Sequence, residues 1–549
     1  MSENPHNNAP AAPAAAGPSA PPFVPKSLPL TLGYIGASMV IGLTQGLAQG
    51  FVSTNIPQIA GDLGVTTTQA TWLMAAFLIP RASMPLLLIK LRTQYGLRRF
   101  AEWATIAYLV VALAGLAISD LRSALVMQFL AGMVSAPLST LAFLYMLEPL
   151  SPPWKMRLGL PMVMATISAG PMLARVVSPG LMSDMGWMPL HLMTLGLAAV
   201  SLALVYALPL TSPPRIKVIA VMDLVSWGLI AAGFGGLTVA FITGAVYWWT
   251  EAPWLGWTLA GAILTLTAAV VIELHRKAPL LDIRWLSTPA MAHLTVTLLL
   301  FRLILSEQSA GAPRMFQLMG ITQGQLVPLF AVICIATLLG GLALIPIIRP
   351  DRVPAIHVVA LTLIAAAAWM DSRATLDTRP AQMMLSQGMI AFAGVLFLAP
   401  AMMRGLVSAL ARGPNYILSF VIVFLSTQSL GGAMGSGLFT TFINHRQAVH
   451  LQILREQLTA SDAQMLQEIL RRAAILAPQI TDAAARKAQA VALIAQDVSN
   501  EAYVMAYNDA YLLTAMVALA ALAALILHIF RDWLAVRPTS PATPSPESA

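Results

Sequence analysis

The sequence contains few charged residues and almost no cysteine. Only 10% of its 549 residues are Asp, Glu, Lys or Arg, whereas a soluble domain carries about 25%. The single cysteine, Cys334, excludes an internal disulfide and a metal site built from several cysteines. Apolar residues make up 58% of the chain, more than water-soluble cores of this length could bury. The composition therefore excludes soluble enzymes, disordered proteins and fibrous repeats, and it predicts a polytopic membrane protein.

Several chemical signatures are also missing from the sequence. No glycine-rich loop ends in the lysine that would hold the phosphates of ATP. The eight histidines are scattered without metal-ligand spacing, and no nucleophile has supporting residues beside it. The first 26 residues lack the apolar run of a signal peptide. We therefore expect no enzyme activity, no metal, no cofactor and no nucleic-acid partner.

Fourteen stretches are long and apolar enough to cross a lipid bilayer, since a spanning helix needs about 20 mostly apolar residues. The alternation of period two that marks barrel strands is absent from them, so they are predicted to be helices. The stretches cover residues 30–53, 69–90, 101–119, 123–147, 158–180, 189–210, 219–246, 256–274, 290–311, 324–347, 354–370, 380–403, 413–443 and 506–530. The predicted fold class is an all-α polytopic membrane protein.

The positions of Lys and Arg predict the orientation of these spans. With the N-terminus inside, the cytoplasmic segments hold 18 of the 31 basic residues. The short outer loops hold four, which are Arg122, Arg314, Arg373 and Arg379. Because short cytoplasmic loops retain Lys and Arg, both termini are predicted to be cytoplasmic. Most of the net charge of +8 therefore marks topology and does not indicate a polyanionic partner.

Three further segments lie outside the predicted spans. Residues 1–27 and 534–549 are rich in Pro, Ala and Ser and are predicted to be disordered cytoplasmic tails. The outer segment 445–505 is predicted to form two or three amphipathic helices, with N-caps at Ser461 (paired with Gln464), Thr481 and Ser499. Two interpretations of this segment remain open: a helical hairpin that shields the outer mouth, and a docking surface for a periplasmic partner.

Residues at four places resemble motifs of the fourteen-spanner drug:proton antiporters of the major facilitator superfamily, the EmrB/QacA type. After span eight, a Glu is followed by five residues and then by Pro-Leu-Leu-Asp. An Asp opens span seven, and a Gly with two Arg lies between spans two and three. A Gly-Pro pair lies in span five. These residues are Glu273, Pro279, Asp282, Asp223, Gly96, Arg98, Arg99, Gly170 and Pro171. The likeness covers nearly all of residues 30–530.

The resemblance implies an architecture and a function. It implies two six-helix bundles, residues 28–212 and 289–533, with two inserted helices and a cytoplasmic loop in residues 213–288 between them. It implies a proton-driven exporter of drugs or toxic compounds in the inner membrane, working by alternating access. In a Gram-negative host it also implies a tripartite system with a periplasmic adaptor (a membrane fusion protein) and an outer-membrane channel. The substrate would then be a small molecule exchanged for protons.

The sequence departs from the family pattern at two positions that are commonly tied to proton coupling. The Asp of the first span has no counterpart, because the chain reads Leu47-Ala-Gln-Gly and then Asn55-Ile-Pro. The Arg of the fourth span is Gln128 here. The usual coupling site is therefore not carried over, and the resemblance describes a divergent antiporter or one whose protonation site has moved.

Four charged residues lie deep in predicted spans: Arg81, Arg175, Arg302 and Glu307. A charge inside the membrane is costly, so each is a functional candidate. Arg302 and Glu307 are five residues apart, which places them about 140° apart on a straight helix, so we do not expect them to pair. We predict that Glu307 is the proton-coupling carboxylate.

The deep charges amount to three cations and one anion, and lipid does not tolerate such an excess. We therefore predict that Arg81, Arg175 and Arg302 contact the substrate and favour amphipathic organic anions. For Arg175, the alternative is that it braces the Gly-Pro bend. Gln45 and Gln49 share one face of span one and either line a polar cavity or hydrogen-bond between helices.

Two other functions remain open at this stage. One is export of a metabolite, siderophore or natural product. The other is a membrane scaffold or sensor that keeps the fold without transporting, which the missing aspartate of the first span makes conceivable.

Overall fold

A computed structural model describes residues 25–182, 186–212, 215–457 and 463–535. Within these residues, fourteen helices are long and apolar enough to cross a membrane, as the sequence predicted. They are α1 Leu28–Thr54, α2 Thr67–Tyr95, α3 Leu97–Ala117, α4 Leu121–Leu147, α5 Pro152–Leu181, α6 Met188–Ala207, α7 Val221–Tyr247, α8 Pro253–His275, α9 Pro289–Leu318, α10 Gln323–Ile347, α11 Pro350–Asp371, α12 Pro380–Leu410, α13 Pro414–Gln457 and α14 Ala483–Ala535. The predicted tails lie almost entirely outside the described residues.

The contacts between helices form two bundles joined by a small number of helices. α1 packs against α4 and α5 in the N-terminal bundle, and α11 packs against α12 and α14 in the C-terminal bundle. Between the bundles, α5 lies along α10 and α2 contacts α13. Of the inserted helices, α7 packs against both α2 and α13, while α8 packs mainly on α7. The predicted all-α fold with two inserted helices is thus confirmed.

The outer segment between the last two spans differs from the prediction in detail. α13 continues to Gln457, a separate helix covers Ala463–Ile475, and α14 begins at Ala483. Asp482, and not Thr481, caps α14, because its Oδ2 accepts the backbone N–H of Ala485 at 2.8 Å. The predicted cap at Ser499 is wrong: no Gly or Pro interrupts residues 483–535, so the helix runs through that position. Ser461 lies outside the described residues.

Ion pairs fix this outer segment. Arg471 and Arg472 both bind the carboxylate of Glu468, at 2.7 Å each, and their hydrogen bonds lower the pKa of Glu468 to about 2. Arg472 also reaches Asp497 of α14 at 2.6 Å. The helix Ala463–Ile475 is thereby tied to the side of α14, and the long helices extend beyond the bundle on the outer side.

Glycines allow α1 and α5 to approach closely in the N-terminal bundle. A Cβ placed on Gly46 would lie 2.7 Å from Cα of Gly170, a distance at which the backbones would have to separate. One turn further along α1, Gly50 faces Pro171 and Ala174 of α5. The Gly170-Pro171 motif therefore lies at a close contact between these two helices, and the missing side chain of Gly50 leaves space for Ala174.

A cluster of charged side chains ties the inserted helices to the N-terminal bundle on the inner side. Asp223, at the start of α7, is fully buried, and its Oδ1 lies 2.6 Å from Lys90 of α2 and 2.6 Å from Arg276, which follows α8. Arg276 also binds Glu273 at 2.7 Å. Two cations therefore face two carboxylates, and three helices meet at this cluster.

The remaining motif residues after α8 shape the turn that leads to α9. Glu273 accepts the backbone N–H groups of Leu280 and Leu281, the second at 3.1 Å. Pro279 immediately precedes these two residues, and Asp282 caps the short helix Ile283–Leu286 by accepting the N–H of Trp285 at 3.0 Å. The Glu and Asp of the motif thus accept the backbone donors of a tight turn that follows the Pro.

The loop between α2 and α3 packs against the segment before α7. Gly96 ends α2 with a φ of +87°, which a glycine adopts without strain. The backbone N–H of Arg98 donates to Ser212 at 3.1 Å, and its side chain pairs with Glu102 at 3.0 Å. Arg99 is exposed. This loop therefore braces the connection between the N-terminal bundle and the inserted helices.

We expect Gly46→Ala to destabilise the protein by about 1–3 kcal/mol, because the added methyl group overpacks a backbone contact. Gly36→Ala is the matched control on the same helix, since a Cβ there meets nothing within 4 Å. That change should be neutral or stabilising by at most about 1 kcal/mol. Thermal unfolding in detergent measures both, and equal stability of the two variants would contradict the close contact.

We expect Asp223→Asn to destabilise the protein by about 3–5 kcal/mol, because it leaves Lys90 and Arg276 facing each other without their shared anion. Glu102→Gln breaks the more exposed pair with Arg98 and should cost at most about 0.5 kcal/mol. Chemical unfolding of the purified protein gives both values. A small effect of Asp223→Asn would show that the cluster does not hold the inserted helices.

Candidate functional site

Arg81 lies in a polar cluster inside the N-terminal bundle. Its guanidinium donates to Oε1 of Gln45 on α1 and, at 3.4 Å, to Oγ of Ser135 on α4. Ser139 donates to the same Gln45 oxygen at 3.2 Å. Three helices therefore contribute to holding this cation, and all of its hydrogen-bond partners are neutral.

Two other features complete the surroundings of Arg81. Its guanidinium carbon lies 5.5 Å from the centre of the Phe77 ring. Gln49 lies one turn after Gln45 and is partly exposed, and no described hydrogen bond joins it to Arg81. The structure thus brings Gln45, but not Gln49, into contact with the predicted substrate-binding arginine.

Arg175 lies where the two bundles meet. It is 8% exposed, and its guanidinium carbon lies 5.0 Å from the centre of the Phe330 ring on α10. The neighbouring contacts between α5 and α10 are tight, because a Cβ on Gly341 would come 2.8 Å from Cβ of Ala165. Arg175 therefore stacks across the bundle interface, and no described hydrogen bond joins it to the carbonyls of the Gly-Pro bend.

Arg302 lies between α9 and α13. A Cβ on Gly431 would lie 3.0 Å from Cβ of Arg302, and one on Gly432 would lie 2.8 Å from its Nη2. These two glycines make room for the side chain. Its Nε is buried and has no hydrogen-bond acceptor among the described residues. The guanidinium is thus held by packing and keeps an unused donor.

The three membrane arginines share one property. No ion pair in the described part of the chain joins Arg81, Arg175 or Arg302 to a carboxylate. Their partners are amide and hydroxyl oxygens, aromatic rings and glycine backbones. Each can therefore accept an anionic ligand without first breaking an ion pair.

Glu307 occupies a distorted stretch of α9. The helix Pro289–Ile304 gives way to a π-helical turn over Glu307–Gly311 before continuing as Ala312–Leu318. Glu307 is fully buried, and its Oε1 accepts a hydrogen bond from Nε2 of Gln387 on α12 at 3.3 Å. No described ion pair joins it to Arg302. Single π turns of this kind are frequent at functional sites.

Asp371 lies beside Glu307 and is not among the site residues that the sequence predicts. It is the last residue of α11 and was placed just outside a span ending at residue 370, yet it is only 3% exposed. Gln387 Nε2 donates to its Oδ2 at 2.7 Å and Ser386 donates to its Oδ1. The apolar run stops one residue before it, so the pattern assigned it to the outer loop. Only the packing of α12 over this end shows that it is buried.

A separate cavity of about 60 Å³ lies in the outer half of the N-terminal bundle. Phe77, Tyr108, Gln128 and His191 are among its lining residues. Oε1 of Gln128 and Nε2 of His191 are buried without a partner among the described residues. None of the predicted substrate-binding residues lines this cavity. Gln128, at the position of the family's arginine, thus faces a small space and not an ion pair.

Comparison with known sequences gives partial matches. No family model matches the chain. It is 28% identical over 243 residues to the fatty acid resistance protein FarB of Neisseria gonorrhoeae, covering 42% of this chain and 45% of FarB. It is 25% identical over 231 residues to the multidrug export protein EmrB of Escherichia coli strain K12, covering 42% of this chain and 44% of EmrB. The chain thus spans less than half the length of these relatives.

Comparison with solved structures covers most of the chain. An auto-inhibited peptide transporter of the POT family matches with a TM-score of 0.55 and 14% identity, over 94% of this chain and 99% of that one. The proton:xylose symporter XylE of the major facilitator superfamily matches with a TM-score of 0.50 and 12% identity, over 89% and 95%. The fourteen helices of the described residues agree with the predicted multi-pass membrane protein. The chain thus has the fold of the major facilitator transporters and is similar to EmrB and FarB over part of its length.

Proposed function

We propose that this protein is a proton-driven exporter of amphipathic organic anions in the inner membrane. The observation that carries the proposal is the set of three arginines inside the membrane, Arg81, Arg175 and Arg302, none of which is neutralised by a described carboxylate. Keeping unpaired cations in an apolar interior is costly unless a ligand or a water-filled path compensates them. A substrate that carries a carboxylate and an apolar body would do so.

The side chains around these arginines suit such a substrate. Charge-assisted hydrogen bonds from a guanidinium to a carboxylate are about twice as strong as neutral ones. Phe77 and Phe330, which lie under two of the arginines, offer apolar surface beside the charge. FarB, which the chain matches over part of its length, is described as a fatty acid resistance protein. That description supports an acyl carboxylate as the substrate class.

Glu307 is the proposed proton carrier. It lies in the outer half of α9, is fully buried and has no described cation partner, so it can bind a proton arriving from the outer side. Alternating access between the two bundles would then exchange the proton for the substrate. The family's first-span Asp is absent from this chain, and Gln128 stands where the family has an Arg. Both departures support a coupling site that has moved into the C-terminal bundle.

The outer extension supports a partner on the periplasmic side. α13, α14 and the helix Ala463–Ile475 reach beyond the bundle, and Leu466, Leu470 and Ile475 of that helix are 46%, 56% and 66% exposed. Apolar side chains exposed on a helix are typical of a contact surface. We propose that an adaptor of a tripartite export system binds here, with an outer-membrane channel beyond it.

We expect inverted vesicles to take up a medium-chain fatty acid in preference to a cationic dye of similar size. Arg81→Gln and Arg302→Gln should raise the apparent KM for the fatty acid about tenfold or more, because each removes a charge-assisted hydrogen bond of about 1.5–3 kcal/mol. Arg122→Gln, which changes an exposed arginine in the first turn of α4, is the matched control and should leave uptake unchanged.

Preference for cationic dyes in this assay, or unchanged uptake by both membrane arginine variants, would contradict the proposed substrate class. Uptake of a metabolite or siderophore in place of the fatty acid would support an exporter with another substrate. No uptake of any probe by folded protein would support the scaffold or sensor alternative.

A further inference from the structure

Two buried carboxyl groups from different helices meet in the outer half of the C-terminal bundle. Glu307 comes from α9 and Asp371 from the end of α11. One nitrogen, Nε2 of Gln387, donates to both, at 3.3 Å to Glu307 Oε1 and 2.7 Å to Asp371 Oδ2. These two distances place the two oxygens within about 6 Å of each other. The carboxyl groups are therefore close enough to interact strongly.

The hydrogen bonds around the pair are fewer than two carboxylates require. Asp371 accepts from Ser386 and Gln387, which satisfies both of its oxygens. Oε2 of Glu307 is buried and has no donor among the described residues. Oε1 of Gln387 is also buried without a donor. Two acceptors of the site therefore lack a donor, and one of them belongs to a carboxyl group of the pair.

No cation of the described residues forms an ion pair with either carboxyl group. On α14, the phenol of Tyr511 faces it. On α12, they are Ser386 and Gln387. On α13, Gly435 lies against Ser306. On α9 itself, the charged residues are Arg302 and Arg314, and Arg314 donates to Thr440 at 3.0 Å. None of these forms a described ion pair with Glu307 or Asp371.

The π turn leaves little free space around Glu307. A Cβ on Gly311 would lie 3.3 Å from Cγ of Glu307 and 3.4 Å from the hydroxyl of Tyr511. That hydroxyl donates only a long bond to Sδ of Met315, at 3.8 Å. Glycine at position 311 therefore keeps the carboxyl and the phenol on adjacent sides of one narrow space, with room for a hydrogen but little else.

We infer that Glu307 and Asp371 form a single proton-binding site in which the two carboxyl groups share one proton. Binding forms an O–H bond on one carboxyl, which donates toward the other, and changes the charge of the pair from −2 to −1. Two like charges this close, without a cation and away from water, are not both maintained, so the pair retains the proton. Asp371 is the second member of the site, and Gln387 positions both.

The role of this site in transport rests on the proposed function, whereas the site itself does not. As the carrier, the pair would receive a proton from the outer side while the substrate leaves, and would release it toward the cytoplasm. Replacing either carboxyl by its neutral isostere fixes the charge at −1, which imitates the protonated state permanently.

Infrared spectroscopy of the purified full-length protein at neutral pH tests the site without any transport. The wild-type protein should show the carbonyl stretch of one protonated carboxyl group, shifted by exchange into D₂O. Both Glu307→Gln and Asp371→Asn should abolish or move this signal, because each changes the partner of the shared proton. Asp377→Asn, an exposed aspartate six residues after Asp371, is the matched control and should leave the signal unchanged.

Three results would overturn the shared site: no protonated carboxyl in the wild-type protein, two of them, or a signal that Asp371→Asn leaves at the same frequency and intensity. Thermal unfolding of each variant identifies any loss that comes from misfolding. If a variant does not fold, Gln387→Glu and Ser386→Ala supply the same readout, since both alter the surroundings of Asp371 and should move the signal.

Proteoliposomes test the transport role separately. Both single variants should lose proton-driven accumulation of the fatty acid and keep exchange of labelled for unlabelled fatty acid, as expected for a carrier fixed in one protonation state. Full proton-driven accumulation by Asp371→Asn would contradict its role as a carrier. If the wild-type protein transports no probe while the infrared pattern holds, the proposed function fails and the proton site stands.

Discussion

The cost of placing charge in an apolar interior constrains this molecule more than any other interaction. Many of its charged residues avoid that cost by lying in loops, near helix ends or in the outer extension, and the distribution of Lys and Arg predicts the orientation of the helices. Other charged residues offset the cost of burial by forming ion pairs. Asp223, for example, is fully buried but contacts two cations. The membrane arginines and the Glu307–Asp371 pair do neither. These unpaired groups are therefore where ligands, substrate or proton, would supply the missing charge.

The two kinds of unpaired charge lie in different parts of the fold. Arg81 belongs to the N-terminal bundle, Arg175 lies at the interface with α10, and the carboxyl pair lies in the outer half of the C-terminal bundle. Both bundles meet along α5 and α10, and α7 connects α2 with α13. A rearrangement that couples anion and proton would have to pass through these contacts.

Much of this architecture could be predicted from the sequence, because the bilayer constrains both the length of the apolar stretches and the distribution of Lys and Arg. The fourteen spans and the deep charges follow from that physics, and the orientation stays a prediction. The position of Asp371 does not, since hydropathy ends a span where the apolar run ends and carries no information on which helix covers its last residue. The pairing of Gln45 with Arg81 was open for the same reason: a polar side chain on a helix face can line a cavity or bind a neighbour, and only packing decides.

Simultaneous measurement of proton and anion movement in proteoliposomes tests the account most directly. With the protein reconstituted and a pH indicator inside, an outward gradient of a medium-chain fatty acid should drive protons inward, beyond the passive movement seen in protein-free liposomes. Equal acidification in vesicles with and without the protein, or protein-dependent proton movement with cationic dyes alone, would contradict the central claim that an organic anion is exported in exchange for a proton.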